Sequence, residues 1–163
     1  MGSDAALALK RALRLEQEGE AFYQEAAART VDPKGKAMYA SLAEDEVLHA
    51  RIIEREMDAL SEGKGWQATE SAEGEVDLES PLFPQGKVAF EEAVRSDASD
   101  LDAILFALKI ESDSFSLYAE QAKAATDAKA KQFYEFLAGA ERVHFDLLMA
   151  NYESLNSRAG WVG

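Results

Sequence analysis

The sequence predicts an all-α fold: a four-helix bundle built from two antiparallel helical hairpins, with a long crossover between helices 2 and 3. Three observations predict it. Apolar residues recur at three- and four-residue steps over long stretches, the period of one helix face. Only 3 prolines and 10 glycines occur in 163 residues, and glycines gather between 63 and 86, so long helices run uninterrupted elsewhere. The chain also repeats itself without gaps at an offset of 95 residues. Glu16, Tyr23, Glu46 and His49 reappear as Glu111, Tyr118, Glu141 and His144. The same offset matches Ala12-Leu13 to Ala107-Leu108, Asp32 to Asp127, Tyr39 to Tyr134, Leu42-Ala43 to Leu137-Ala138, and Leu60 to Leu155.

Ser3-Asp4 reads as the N-cap of the first helix, which runs to about Arg29. Leu9, Leu13, Glu16, Glu20, Tyr23 and Ala27 share one of its faces. Thr30 to Pro33 is a turn, with Asp32 capping and Pro33 in the first helical position. The second helix extends to about Leu60, with Tyr39, Leu42, Glu46, His49, Ile53 and Leu60 on its inner stripe. So short a turn makes the two helices antiparallel neighbours.

From Ser61 to about Ala98 the periodicity fails. This stretch is rich in Gly, Ser, Glu and Pro, and is long enough to travel the height of a bundle. Trp66, Leu78, Leu82 and Phe83 are its expected anchors on the helices, and residues 88–94 are expected to add a short helix. Ser99-Asp100 starts the third helix, whose stripe is Leu101, Ile104, Leu108, Glu111, Phe115, Tyr118 and Ala122. Thr126-Asp127 forms the second tight turn. Phe133, Tyr134, Leu137, Glu141, His144, Leu148 and Leu155 line the fourth helix, which ends near Asn156-Ser157 and leaves a tail with Trp161. The whole of 1–163 reads as one domain.

A formal charge of −14 argues against nucleic acid or anionic membrane as a partner. There is no cysteine, hence no disulfide, zinc ribbon or iron–sulfur cluster. No run approaches the ~18 apolar residues of a membrane span. MGSDAALALKRAL lacks the basic start and apolar core of a secretory signal, so a cytoplasmic protein is expected.

The chemistry lies in the repeated set. Glu46 and His49, three apart, project from one helix face, as do Glu141 and His144. Glu16 and Glu111 add a carboxylate from each remaining helix. Four glutamates without a counter-charge would be expensive inside a bundle. Four carboxylates and two imidazoles are what a pair of iron, manganese or zinc ions takes. Tyr23 and Tyr118, two turns beyond Glu16 and Glu111, are placed to hydrogen-bond carboxylates across the bundle. Glu20 also faces inward, and its counterpart is Phe115; it is either a further carboxylate beside the site or a flank residue reaching solvent. Asp45, opposite Ala140 in the repeat, either bonds a histidine on the neighbouring helix or is solvated. Glu18, Glu25, Glu44, Glu54 and Glu56 read as solvated surface.

LRLEQEGEAFY and ALKIESDSFSLY resemble the first- and third-helix motifs of the rubrerythrin group in the ferritin-like superfamily. LAEDEVLHARI and LAGAERVHFDL resemble its second and fourth. The resemblance spans about residues 8–157. It implies a di-iron site with Glu16, Glu46, His49, Glu111, Glu141 and His144 as ligands, and redox chemistry on peroxide or dioxygen. Two departures stand out. With no cysteine there is no rubredoxin domain, so electrons must come from a separate donor protein. Ser114 occupies the position of an additional glutamate, which makes the set more symmetrical and similar to that of bacterioferritin. Three functions follow: a peroxide reductase, a ferroxidase or iron-handling protein, and a non-enzymatic bundle holding zinc or iron. A ferritin-type cage is not expected, because only 19 residues follow His144. A homodimer is plausible, with Trp66 or Trp161 as contacts.

Overall fold

The computed structural model describes residues 3–67 and 98–162. Four helices form these parts: α1 (Ser3–Arg29), α2 (Pro33–Ser61), α3 (Ala98–Ala124) and α4 (Ala128–Asn156). Helices of 27 to 29 residues are about 40 Å long. The tight turns pack α1 against α2 and α3 against α4, and α1 also touches α3. The anchors expected at Leu78, Leu82 and Phe83, and the short helix at 88–94, lie outside the described residues.

Local chemistry sets the helix starts. Asp32 caps α2 by accepting from Lys34 N, with Pro33 next in line. Asp127 caps α4 by accepting from Lys129 N and Ala130 N. Ser3 proves to be inside α1 rather than its cap, and Asp4 lies in the first turn, where its charge complements the helix dipole.

The apolar residues form two clusters, one toward each end of the bundle. One contains Tyr23, Met38, Tyr39, Leu42, Ile104 and Leu148. The other contains Tyr118, Phe133, Tyr134, Leu137, Leu9 and Ile53. The 95-residue offset carries each member of the first set onto one of the second or back. The sequence repeat is thus a structural pseudo-twofold that exchanges the two cores. The middles of the helices, where the charged set lies, fall between them.

The correspondence continues past the helix ends. After α2, Gly63 N bonds Leu60 O and Lys64 N bonds Ala59 O; after α4, Arg158 N bonds Leu155 O and Ala159 N bonds Ser154 O. Both are Schellman closures, which need a left-handed residue just beyond the cap. That residue is Gly63 at φ 77° in one case and Arg158 at φ 63° in the other. A side chain is strained there. Arg158→Gly is expected to stabilise the protein by about 0.5–1 kcal/mol, the relief of strain exceeding the entropy that glycine adds to the unfolded chain. A higher denaturant midpoint at unchanged slope is the readout.

Three expectations are corrected. Phe115 is 37% exposed and is no part of the inner stripe. Glu56 is fully buried, and both its carboxylate oxygens accept from Gln67 N, at 3.2 and 3.0 Å. Trp161 is 1% exposed, packed on Tyr39 within its own chain, so it is no dimer contact. Glycine at position 35 makes the room: a Cβ there would lie 2.6 Å from Trp161 Cε2.

Candidate metal centre

The E-x-x-H spacing places each glutamate and its histidine one turn apart on a buried face, near the middle of α2 and of α4. Glu16 on α1 and Glu111 on α3 meet them from across the bundle. All six side chains are buried, at 1 to 3% exposure. Their donor atoms fall into two groups, each with all its atoms within 4.8 Å of one another. Glu16, Glu46, His49 and Glu141 make one; Glu46, Glu111, Glu141 and His144 make the other. Glu46 and Glu141 therefore belong to both.

The imidazoles turn Nδ1 inward. His49 Nδ1 is 3.4 Å from Glu16 Oε2 and 3.7 Å from Glu141 Oε1. His144 Nδ1 is 3.3 Å from both Glu46 Oε1 and Glu111 Oε1. The two rings are stacked at 5.7 Å. His144 Nε2 meets Asp45 Oδ2 at 3.0 Å, the contact with a neighbouring-helix histidine that Asp45 was in position to make. Ala140 stands at the equivalent place for His49, so the two halves differ here.

Tyr23 Oη donates to Glu111 Oε1 and Tyr118 Oη donates to Glu16 Oε1, each at 2.5 Å. These bonds cross the pseudo-twofold, and the second oxygen of each carboxylate is buried without a hydrogen-bond partner. Glu20 is not brought in: it is half-buried, accepts from Gln24 Nε2, and belongs to neither group. Glu18, Glu25, Glu44 and Glu54 are exposed. Gly19 lies beside Glu46, where a Cβ would come within 3.1 Å of Oε2, while its counterpart Ser114 is buried.

Each of the six residues keeps one buried polar atom without a hydrogen-bond partner: Glu16 Oε2, Glu46 Oε1, His49 Nδ1, Glu111 Oε2, Glu141 Oε1 and His144 Nδ1. Buried polar atoms are ordinarily paired, because leaving one unpaired costs about 1–3 kcal/mol. Six in one place, all electron-pair donors, fit a cation pair. The oxygen and imidazole set suits iron, manganese or zinc.

The electrostatics agree. Burial pushes the Glu46 and Glu141 carboxyls well up, reinforced by the charges of Glu16 and Glu111 respectively. Burial also opposes ionisation of Glu16 and Glu111. For Glu16, the hydrogen bond from Glu46 and the neighbouring His49 outweigh it; for Glu111, His144 and the bond from Glu141 do so. Both are held below the usual carboxylate range. Burial opposes the charge on His144, but Glu111 and Asp45 raise its pKa well above normal. Burial and the facing carboxylates push the Tyr23 and Tyr118 phenols well up, so they remain donors.

A family model described as Rubrerythrin matches residues 8–152. The chain belongs to the rubrerythrin family. That match takes in α2 and α3 whole, most of α1 and α4, and all six clustered residues. No curated protein and no solved structure matched the chain.

Proposed function

We propose that this protein is a di-metal oxidoreductase of rubrerythrin type. It reduces hydrogen peroxide or dioxygen with electrons from a separate donor protein, in the cytoplasm. The observation that carries the reading is the set of six orphaned inward-facing atoms, one from each residue of a rubrerythrin-family sequence. Glu16 and His49 would hold one ion and Glu111 and His144 the other, with Glu46 and Glu141 within reach of both. When bound, a pair of iron ions supplies two electrons to an oxidant in one encounter. The remaining roles belong to the chain. Tyr23 and Tyr118 hold one oxygen of Glu111 and of Glu16, which fixes the orientation of each carboxylate and leaves its second oxygen without a hydrogen bond. Asp45 takes the Nε2 proton of His144 into a hydrogen bond and leaves Nδ1 free as a ligand. The flanking apolar clusters keep bulk water from the centre.

Rapid mixing of the di-ferrous protein with hydrogen peroxide tests this. Oxidation faster than with dioxygen, at one peroxide per chain, is expected; oxidation no faster than with dioxygen would sink the peroxidase reading. The symmetrical set with Ser114 supports a second reading, a ferroxidase. Continued uptake of ferrous ion well past the two ions the site can hold would favour it.

A further inference from the structure

Glycine in the middle of a helix weakens it, because it adds backbone freedom to the unfolded chain and brings no side chain to pack. Gly19 stands in the interior of α1, beside the metal centre. A Cβ there would come 3.1 Å from Glu46 Oε2, 3.3 Å from its Cδ and 3.5 Å from its Cγ. The end of the Glu46 side chain therefore lies along the α1 backbone, in a place that any larger residue would narrow.

The pseudo-twofold supplies the comparison. The offset that carries Glu46 to Glu141 carries Gly19 to Ser114, which brings a buried side chain to the equivalent place on α3. The two shared glutamates are posed differently. Glu141 sends Oε1 to 3.7 Å from His49 Nδ1 and Oε2 to 3.9 Å from His144 Nδ1. Glu46 sends Oε1 to 3.3 Å from His144 Nδ1 and turns Oε2 to Gly19. Glu46 is also the least buried of the six, at 3% exposure against 1% for each of the others.

We propose that Glu46 is the shared ligand that moves when ions enter or leave, that Gly19 provides the space for the movement, and that Ser114 holds Glu141 in place. The inference rests on the metal-centre reading above. Six side chains at 1 to 3% exposure enclose the site, so one of them must yield before an ion can pass. Glu16, Glu111 and His144 are tied by their bonds to Tyr118, Tyr23 and Asp45. Glu46 Oε1 is buried with no such tie. A glutamate yields by rotating about its side-chain bonds, and rotation needs empty volume in an interior packed as densely as a crystal. The missing Cβ at position 19 leaves that volume beside Glu46, and the Cβ and hydroxyl of Ser114 fill it beside Glu141. Gly19 is thus a positioning residue that acts through Glu46.

Metal exchange without turnover tests this. The chelated full chain is mixed with cobalt(II), which suits an oxygen and imidazole set, and uptake is followed by the visible absorption gained on ligation. Release is followed after adding a chelator, at concentrations where the rate no longer depends on it. Gly19→Ala should slow uptake and release together by about tenfold or more, the scale of an overpacking penalty, and leave their ratio within about threefold. Ser114→Gly should speed both, because it gives Glu141 the same space. Ser114→Ala keeps the Cβ and should move neither rate by more than about twofold. A merely structural role for Gly19 would instead weaken binding through faster release in Gly19→Ala, and that result would overturn the proposal. Where Gly19→Ala fails to fold, Ser114→Gly decides: faster exchange supports the proposal and unchanged rates overturn it. Absence of cobalt binding at the six side chains would remove the metal-centre reading as well, whereas tight binding with exchange rates indifferent to both variants would remove only the moving glutamate.

Discussion

Stripped of metal, the protein is expected to lose stability as pH rises through neutrality, and the metal-loaded protein is not. The sign follows from the three raised groups. Glu46 and Glu141 titrate above 4.5 in the folded state, and His144 above 6.5. The folded chain therefore keeps protons that the unfolded chain releases. That stabilisation is complete below the unfolded values and is lost as pH climbs through the folded ones. The slope is about 1.4 kcal/mol per pH unit for each retained proton. Glu16 and Glu111 have depressed values, so their contribution is lost only as pH falls through the acid range. Above about pH 6.5 the raised groups decide the trend. Bound cations take the place of those protons, which flattens the profile and makes metal affinity rise with pH. Denaturant titrations between about pH 6 and 9 on chelated and reloaded protein measure both slopes. A stability of the chelated form that rises over that range would contradict the protonation pattern.

Replacing a shared glutamate is expected to do more damage to metal binding than replacing an end ligand. Glu46 and Glu141 belong to both donor groups, whereas His49 and Glu16 belong to one and His144 and Glu111 to the other. Glu141→Ala should therefore empty both positions, and His49→Ala only one. Even partners that merely orient a ligand are worth about 10–100-fold in affinity, so loss of a ligand should exceed that. Elemental analysis of dialysed, folded variants gives the count directly. Equal losses from His49→Ala and Glu141→Ala would mean that the six side chains do not divide as the two groups do.

Much of this was legible in the sequence because two periods reinforce each other. The helix period puts Glu46 beside His49 and Glu141 beside His144, and the 95-residue offset says that the two pairs are equivalent. Glutamate on an otherwise apolar stripe then has few explanations besides a cation. Tyr23 and Tyr118 yielded to the same argument, and their bonds to the opposite hairpin's carboxylates are what a twofold requires.

What escaped depended on backbone that no helix period describes. Glu56 sits three residues from both Ile53 and Ala59, yet it carries a charge, so it read as surface. It is buried because Gln67 N reaches back to it after α2 has ended. Its counterpart Asn151 does the same for Val162 N after α4. The offset also relates Trp66 to Trp161 and Gly65 to Gly160, a signal present in the sequence that would have extended the repeat beyond the helices. Glu20 and Phe115 were both assigned to an inner face. They occupy one equivalent position at the margin of the stripe, where a small rotation decides between core and solvent.

The central claim is that six buried side chains hold two cations. Crystals of the protein reloaded with ferrous iron, with data collected on both sides of the iron absorption edge, test it most directly. Two anomalous peaks are expected, one bounded by Glu16 and His49, the other by Glu111 and His144, with Glu46 and Glu141 touching both. Anomalous density confined to surface carboxylates, with the six side chains bonded only to one another, would contradict it.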